Sequence, residues 1–377
     1  MSNVLNRMAI FAKDPSNKNL VDMGTDLAKQ YLFENENQHG EFNRYGGFVQ
    51  EDQDGKKLTY ADKNRRFHKE LINSCYKFAN IGEADRDTYS VMQCMQFDSF
   101  RTRLFSIVSI IIDNLMSRSE VENYLPYAEV MNVGWGDTPT FHIGSRANYT
   151  IAKISRNKNR ASLEEHYNED ITLTPEAHQA NISVDFYSLV RGDVNWGQQI
   201  ARITKSFLTD ISQTAANTMF GAFSSLATPW KVNAYTQSNF TELAERVAAA
   251  NNVSDAIVYG TKTALGKVIP ANQYFAMQNG SEYLGVGYIQ SPFGVPVVLL
   301  PQAVKPESDF DFVLPSNKLL FLPNLGDKPV KVAMEGETQI VEASENDNAG
   351  KNRAYSVTMY YDIQIATGTI YGIMQIA

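Results

Sequence analysis

The stretch NWGQQIARITKSFLTDISQTAANTMFGAFSSLA, residues 195–227, decides how the rest of this chain is read. Its apolar residues fall at Trp196, Ile200, Ile203, Phe207, Ile211, Ala215, Met219, Ala222, Phe223 and Leu226, the spacing that lines one face of an α-helix. Asp193 or Asn195 can cap its start by accepting from a free backbone N–H. Thr228-Pro229 is predicted to end it, because proline lacks a donor and restricts the residue before it. At about 1.5 Å per residue the helix runs for roughly 45 Å, longer than a compact core needs. No pattern of similar length stands beside it, so it reads as a strut.

Upstream, from Asn132 to Leu189, the pattern changes to strands: Tyr149 to Ile154, Ile171 to Leu173, and Ile182 to Phe186 with alternating apolar residues. Between the first two lies Ser155 to Asp170, which runs basic (Arg156, Lys158, Arg160) and then acidic (Glu164, Glu165, Glu169, Asp170). A mixed charge run is ordinarily a solvated loop. Placed in a long hairpin with too little apolar surface to bury itself, directly before a strut, it is expected to clasp an adjacent copy, basic half against acidic half.

Downstream the chain becomes mixed α/β. A helix at Thr241 to Asn251, a buried strand at Ala256 to Tyr259 and a short helical piece near Lys262 to Val268 come first. Strands are predicted at Tyr283 to Ile289, Val295 to Leu300, Lys318 to Leu322 and Val330 to Met334. Seven of the 13 prolines lie between Pro292 and Pro329, which favours short connections over long helices. Tyr355 to Ala377 closes the chain as two strands joined near Gly368. At the other end, residues 1 to about 58 are polar and read as an arm with one short helix near Leu20 to Phe33. Two amphipathic helices follow, Tyr60 to Ile81 and Thr88 to Ser117.

Composition narrows the function classes. With 377 residues and 43% hydrophobic content, the chain can bury a sizeable core in two or three units. The net charge of −8 gives no electrostatic reason to grip phosphates, although a container could enclose nucleic acid without binding it. Cys75 and Cys94 sit in apolar helical patterns, which suits a reducing compartment. The start lacks the features of a signal peptide. Leu104 to Ile112 is about half the length a bilayer requires and reads as a buried helix, so no membrane partner is expected.

Catalytic signals are few. Gly260 to Val268 has one residue too many for a phosphate-binding loop and Val268 in place of its hydroxyl. Gly285-Val-Gly287 does not continue as a dinucleotide fingerprint. None of His39, His68, His142, His166 and His178 has a second histidine or cysteine at metal-ligand spacing. No Gly-x-Ser-x-Gly elbow selects a nucleophile. The expectation is a protein with no catalytic residue, cofactor or metal site; the rival of another class is a hydrolase or transferase with its site between Thr241 and Glu345.

The order of parts resembles one family. A helical N-terminal arm, an extended two-stranded loop, a long spine helix, a compact α/β domain and a final strand look like the tailed-bacteriophage major capsid protein of the Hong Kong ninety-seven-like fold, an α+β fold. Ile171-Thr-Leu-Thr-Pro-Glu-Ala177 leading to Ile182-Ser-Val-Asp185 resembles a recurrent stretch of that family. So do Asp255-Ala-Ile-Val-Tyr-Gly-Thr-Lys-Thr-Ala-Leu265 and Tyr288-Ile-Gln-Ser-Pro-Phe-Gly-Val-Pro-Val-Val298.

That resemblance implies an N-terminal arm and helices over 1–131, an extended β-hairpin loop over 132–190, a peripheral domain with the spine helix over 191–235, an α/β axial domain over 236–345, and closing strands of the peripheral domain over 346–377. It implies a subunit that assembles with itself into the hexamers and pentamers of an icosahedral shell. Such a shell forms in the host cytoplasm, encloses double-stranded DNA without sequence-specific binding, and takes scaffolding, portal and decoration proteins as further partners. Arg156, Lys158, Arg160, Glu164, Glu165, Glu169 and Asp170 are the inter-subunit contacts expected on this reading. One branch of the family cross-links a loop lysine to an asparagine; Lys153 and Lys158 have that location, but no motif identifies the asparagine. An encapsulin-like nanocompartment shell is the alternative within the fold.

Overall fold

The computed structural model describes residues 15–36, 60–82, 86, 91–117, 121–122, 125–144, 169–185, 194–269, 285–305, 308, 310–325, 328–342 and 352–376. The spine helix, α5, spans Trp196–Gly221. The Asn195 side chain accepts from the Gln198 N–H at 3.0 Å, as the capping pattern requires. Its 26 residues span about 39 Å, and it gives way to a 3-10 turn at Ala222–Ser224 well before Pro229. The end comes at a glycine, where helix propensity is weakest, and the Lys318 ammonium donates to the Phe220 carbonyl at 3.1 Å.

The strut has company. Helices α1 (Pro15–Glu36), α2 (Tyr60–Phe78), α3 (Val91–Cys94) and α4 (Asp98–Leu115) precede it. The first of these lies along α5, with Leu20, Val21, Leu27 and Ala28 buried in the main core. The expectation of an arm over this part of the chain is therefore corrected. Helix α1 has too weak an amphipathic signal to announce its burial, and glycines make its close approach possible. A Cβ on Gly24 would stand 2.4 Å from Ile111 Cδ1, and one on Gly197 would stand 2.9 Å from the Leu27 carbonyl oxygen. The single helix expected over Thr88 to Ser117 is likewise two, α3 and α4, broken at Met95 to Phe97.

Helix α2 pins the start of the spine with one polar stripe, Tyr60, Asn64 and His68, spaced four apart. The Tyr60 hydroxyl donates to Asn195 Oδ1 at 2.7 Å. Buried Asn64 donates to the Val194 carbonyl at 2.8 Å and accepts from the Trp196 N–H at 3.1 Å. The Trp196 indole N–H donates to His68 Nδ1 at 2.9 Å, which requires that nitrogen to be unprotonated. Of the backbone N–H groups a helix leaves open at its N-terminus, that of Trp196 is thus met by a side chain from a second helix and that of Gln198 by Asn195.

Two main sheets complete the molecule. The first has the order β1-β9-β10-β4, built from Ala128–Val133, Val330–Glu342, Asn352–Ile365 and Glu176–Asp185. Its β1 and β9 are parallel and its other pairs antiparallel. Helix α4 packs on β9 and α5 on β10, so the apolar stripe of the spine meets both the closing strands and the helix around Ile107, as its pattern predicts. Inside this sheet, Lys331 is 1% exposed and donates to Glu129 Oε2 at 2.5 Å, directly across the parallel register. A buried ammonium is tolerated because its carboxylate partner is fixed opposite it.

The second sheet has the order β5-β11-β8-β6-β7, from Lys231–Val232, Gly372–Gln375, Lys318–Pro323, Ala256–Gly260 and Val297–Leu299. Helix α6 (Gln237–Ala250) covers it with a core of its own, including Phe240, Leu243, Val247, Leu319, Phe321 and Met374. Helix α7 (Lys262–Leu265) follows β6. Strand pairing departs from the linear division of the chain at two places. Val330–Glu342 belongs to the first sheet with the spine, whereas Gly372–Gln375 crosses into the second. Long-range hydrogen bonding assigns these strands, and one-dimensional periodicity carries no record of it. The strand expected at Tyr283 to Ile289 is corrected where it is described: residues 285–286 form a helical turn and Gly287 has a φ of 90°.

Candidate assembly surfaces

The smallest sheet is the base of the expected extended hairpin. Strand β2 (Thr140–Ile143) pairs antiparallel with β3 (Glu169–Thr172). One face is anchored: Phe141 and Leu173 are buried against Ala333, with Ile171 packed beside them. The other face is polar, and there His142 Nδ1 lies 2.6 Å from Asp170 Oδ1. Of the expected inter-subunit residues, Glu169 and Asp170 are therefore exposed on β3, and Asp170 already has a partner within the chain. Arg156, Lys158, Arg160, Glu164 and Glu165 lie outside the described residues, as do Lys153 and the strand expected at Tyr149 to Ile154.

Strand β4 carries the chain back from this ribbon and forms the edge of the first sheet among the described residues. A polar knot ties it to the spine. His178 Nδ1 of β4 lies 3.1 Å from Asp210 Oδ2 of α5, and its ring stacks on Tyr361 of β10 with centroids 3.8 Å apart. The Tyr361 hydroxyl donates to the same Asp210 oxygen. Burial, and then the hydrogen bond and charge of Asp210, push the Tyr361 phenol far above its ordinary value. Neutral tyrosine is thus the form the fold requires, and the edge strand cannot tilt off the spine without breaking the knot.

A third surface lies on the second sheet. After β7 the chain forms a narrow hairpin: Val313 N–H donates to the Ala303 carbonyl and Lys305 N–H to the Asp311 carbonyl, each at 2.9 Å. Ser308 Oγ accepts from the N–H groups of Phe310 and Asp311 at 3.3 and 3.1 Å. The Gln302 amide bridges both backbone groups of Leu314. This bonded tip leaves Phe310 90% exposed, Phe312 53% and Val304 46%. At the far end of the spine, Lys231 Nζ and Lys318 Nζ stand 4.5 and 4.9 Å from the centroid of the Phe223 ring. Burial, then the charge of Lys231, lower the Lys318 ammonium from its ordinary value. Neither lysine has a carboxylate partner among the described residues.

These two patches were not singled out by sequence reading. The tip does carry a signal: Asp309-Phe310-Asp311-Phe312 alternates acid and aromatic with period two, which puts both aromatics on one side of an extended chain. The lysine pair carries none, since Lys231 and Lys318 meet only through the sheet.

An apolar cavity of ≈ 60 Å³ between α4, α5 and β10 is lined by residues such as Leu104, Ile200, Ile203 and Val357, and by no carboxylate or histidine. No group of three potential metal ligands is found among the described residues, and no helix there is long and apolar enough to cross a membrane. Burial pushes the Cys75 thiol up to about 12, the reverse of what a nucleophile needs.

Against this geometry, residues 91–375 match the family described as SPbeta prophage-derived putative capsid protein YonB. The chain belongs to that family. It is a capsid protein and a structural component, not an enzyme, which sets aside the hydrolase or transferase reading. Among solved structures it is similar to the mature capsid of bacteriophage PhiM1, with 11% identity and a TM-score of 0.44 over 67% of this chain and 86% of that one. It is also similar to the capsid of cyanophage P-SCSP1u, with 12% identity and a TM-score of 0.43 over 67% and 86%. The capsid of the empty GTA particle gives 13% identity and a TM-score of 0.43 over 68% and 90%. With TM-scores below 0.5 these likenesses carry no weight beside the family membership. No curated protein matches the chain.

Proposed function

We propose that this YonB-family protein is the major subunit of an icosahedral shell, assembling into hexamers and pentamers in the host cytoplasm and enclosing double-stranded DNA without reading its sequence. The observation that carries this is the β2–β3 ribbon, anchored on one face by Phe141 and Leu173 and leading at Ile143 and Glu169 into a charge-switched loop with too little apolar surface to fold on itself. A second copy supplies what the loop lacks. The peripheral part then comprises the spine, the helices and the β1-β9-β10-β4 sheet, and the axial part comprises the β5-β11-β8-β6-β7 sheet with α6. Scaffolding, portal and decoration proteins are the further partners such a shell would take. Family membership favours this reading over a nanocompartment with enzyme cargo.

The test is an electron micrograph of the expressed protein. Closed particles are expected, with nucleic acid inside those isolated from infected or induced cells; protein that stays monomeric at all concentrations overturns the reading. Reversing Arg156, Lys158 and Arg160 together to Glu is expected to abolish particles while circular dichroism stays native. Shells that form unimpaired would remove the loop's role as a clasp.

A further inference from the structure

Phe310 is the most exposed large apolar side chain described, and it is held out by hydrogen bonds instead of by packing. An aromatic fixed in water on a bonded tip gains nothing for the fold of its own subunit, because burial is what makes apolar surface stabilising. Asp311 lies between the two exposed phenylalanines. The complementary charge is present on the same chain: the half-buried Lys231 and Lys318 ammonium groups cover the buried Phe223 ring, cationic where the tip is anionic and able to stack on its exposed rings.

The chain does not join these surfaces within itself. Lys318 follows the tip by only a few residues, yet Asp311 makes no ion pair with it. Nor does the tip suit its own symmetric copy, since a two-fold contact would set Asp311 against Asp311. Resting on the shell reading above, we infer that the Phe310–Asp311–Phe312 tip docks on the Lys231/Lys318 patch of a neighbouring copy. The contact is heterologous, head to tail, so its repetition generates a ring or an open chain and not an isolated dimer.

Zero-length carbodiimide coupling, which joins a carboxylate to an amine only in direct contact, tests the pairing. Equal amounts of ordinary and ¹⁵N-labelled protein are assembled together and coupled. Mixed-isotope peptides linking Asp311 to Lys231 or Lys318 are expected. Phe310→Ser and Asp311→Lys, both at exposed positions, are expected to remain folded and to lower particle yield by about tenfold or more, the factor that roughly 1.4 kcal/mol per contact supplies. Wild-type particles that yield other inter-chain links but not this one overturn the proposal and leave the shell reading standing. The same holds if both variants assemble like wild type. Wild-type protein that never associates overturns both.

Discussion

Asn64 shows how one side chain places the longest element of the molecule. It is 8% exposed and holds both the Val194 carbonyl and the Trp196 N–H. Removing it leaves the Val194 carbonyl and the Trp196 N–H with only the 3.1 Å bond between them. Asn64→Ala is expected to cost about 1–3 kcal/mol in urea unfolding of the subunit with the slope unchanged, since it removes two buried hydrogen bonds at about 0.5–1.5 kcal/mol each. Tyr361 acts at the other end of the pH scale. Its folded value is raised above the ordinary 10.0 by burial and by Asp210. Below pH 10 tyrosine is neutral in both states and its contribution is fully present. Above that, the unfolded chain releases the proton and the folded one keeps it, so stability falls as pH rises. Tyr361→Phe is expected to remove about 1.4 kcal/mol of this alkaline loss in total in melts followed between pH 9 and 11, most of it above pH 10. Cys75, raised from 9.0 to about 12, adds to the loss in the same direction.

At the scale of elements, glycine decides how closely the helices can cross. A Cβ at Gly24 meets Ile111 Cδ1 at 2.4 Å and Phe67 Cε2 at 2.9 Å, whereas one at Gly221 meets nothing within 4 Å. Alanine is the better helix former at both sites by about 1 kcal/mol. The same substitution is therefore expected to have opposite signs. Gly24→Ala should lower the melting temperature, because overpacking of about 1–3 kcal/mol exceeds the propensity gain. Gly221→Ala, at a right-handed φ of −64°, should raise it slightly. Calorimetry of the two variants checks both. The period of the spine is legible because ten apolar residues keep one stripe, whereas the burial of α1 is not, because its packing depends on the absence of side chains at Gly24 and Gly197.

At the scale of the whole molecule, the surfaces that one copy cannot satisfy matter most. The core is shared by the helices and the first sheet, a second core lies under α6, and the β2–β3 ribbon has a third, very small one. Beyond them stand an aromatic tip and a lysine patch with no carboxylate partner among the described residues. A subunit with such surfaces gains by repetition, since many modest contacts multiply when copies close into a shell. With head-to-tail pairing, assembly is expected to weaken as salt rises, because the attraction between exposed Asp311 and the half-buried lysines is screened over about 8 Å at physiological ionic strength. Light scattering across a salt series reads that dependence directly.

Local rules by themselves determined a good deal about this protein. Apolar spacing marked the spine, with Asp193 or Asn195 as its cap, and the α/β character of residues 241–345 followed from short runs and clustered prolines. The missing catalytic patterns and the order of parts pointed to a capsid subunit. These are properties of neighbouring residues, and periodicity and capping act over one or two turns. Tertiary structure alone decided the rest: that Val330–Glu342 joins the spine's sheet while Gly372–Gln375 leaves it, that Asn64 reaches across to Trp196, and that Asp210 gathers His178 and Tyr361. The same holds for Lys231 and Lys318, which share one ring although 87 positions separate them in the chain. Those contacts depend on which strands pair and how closely helices cross, and nothing in a one-dimensional pattern records either.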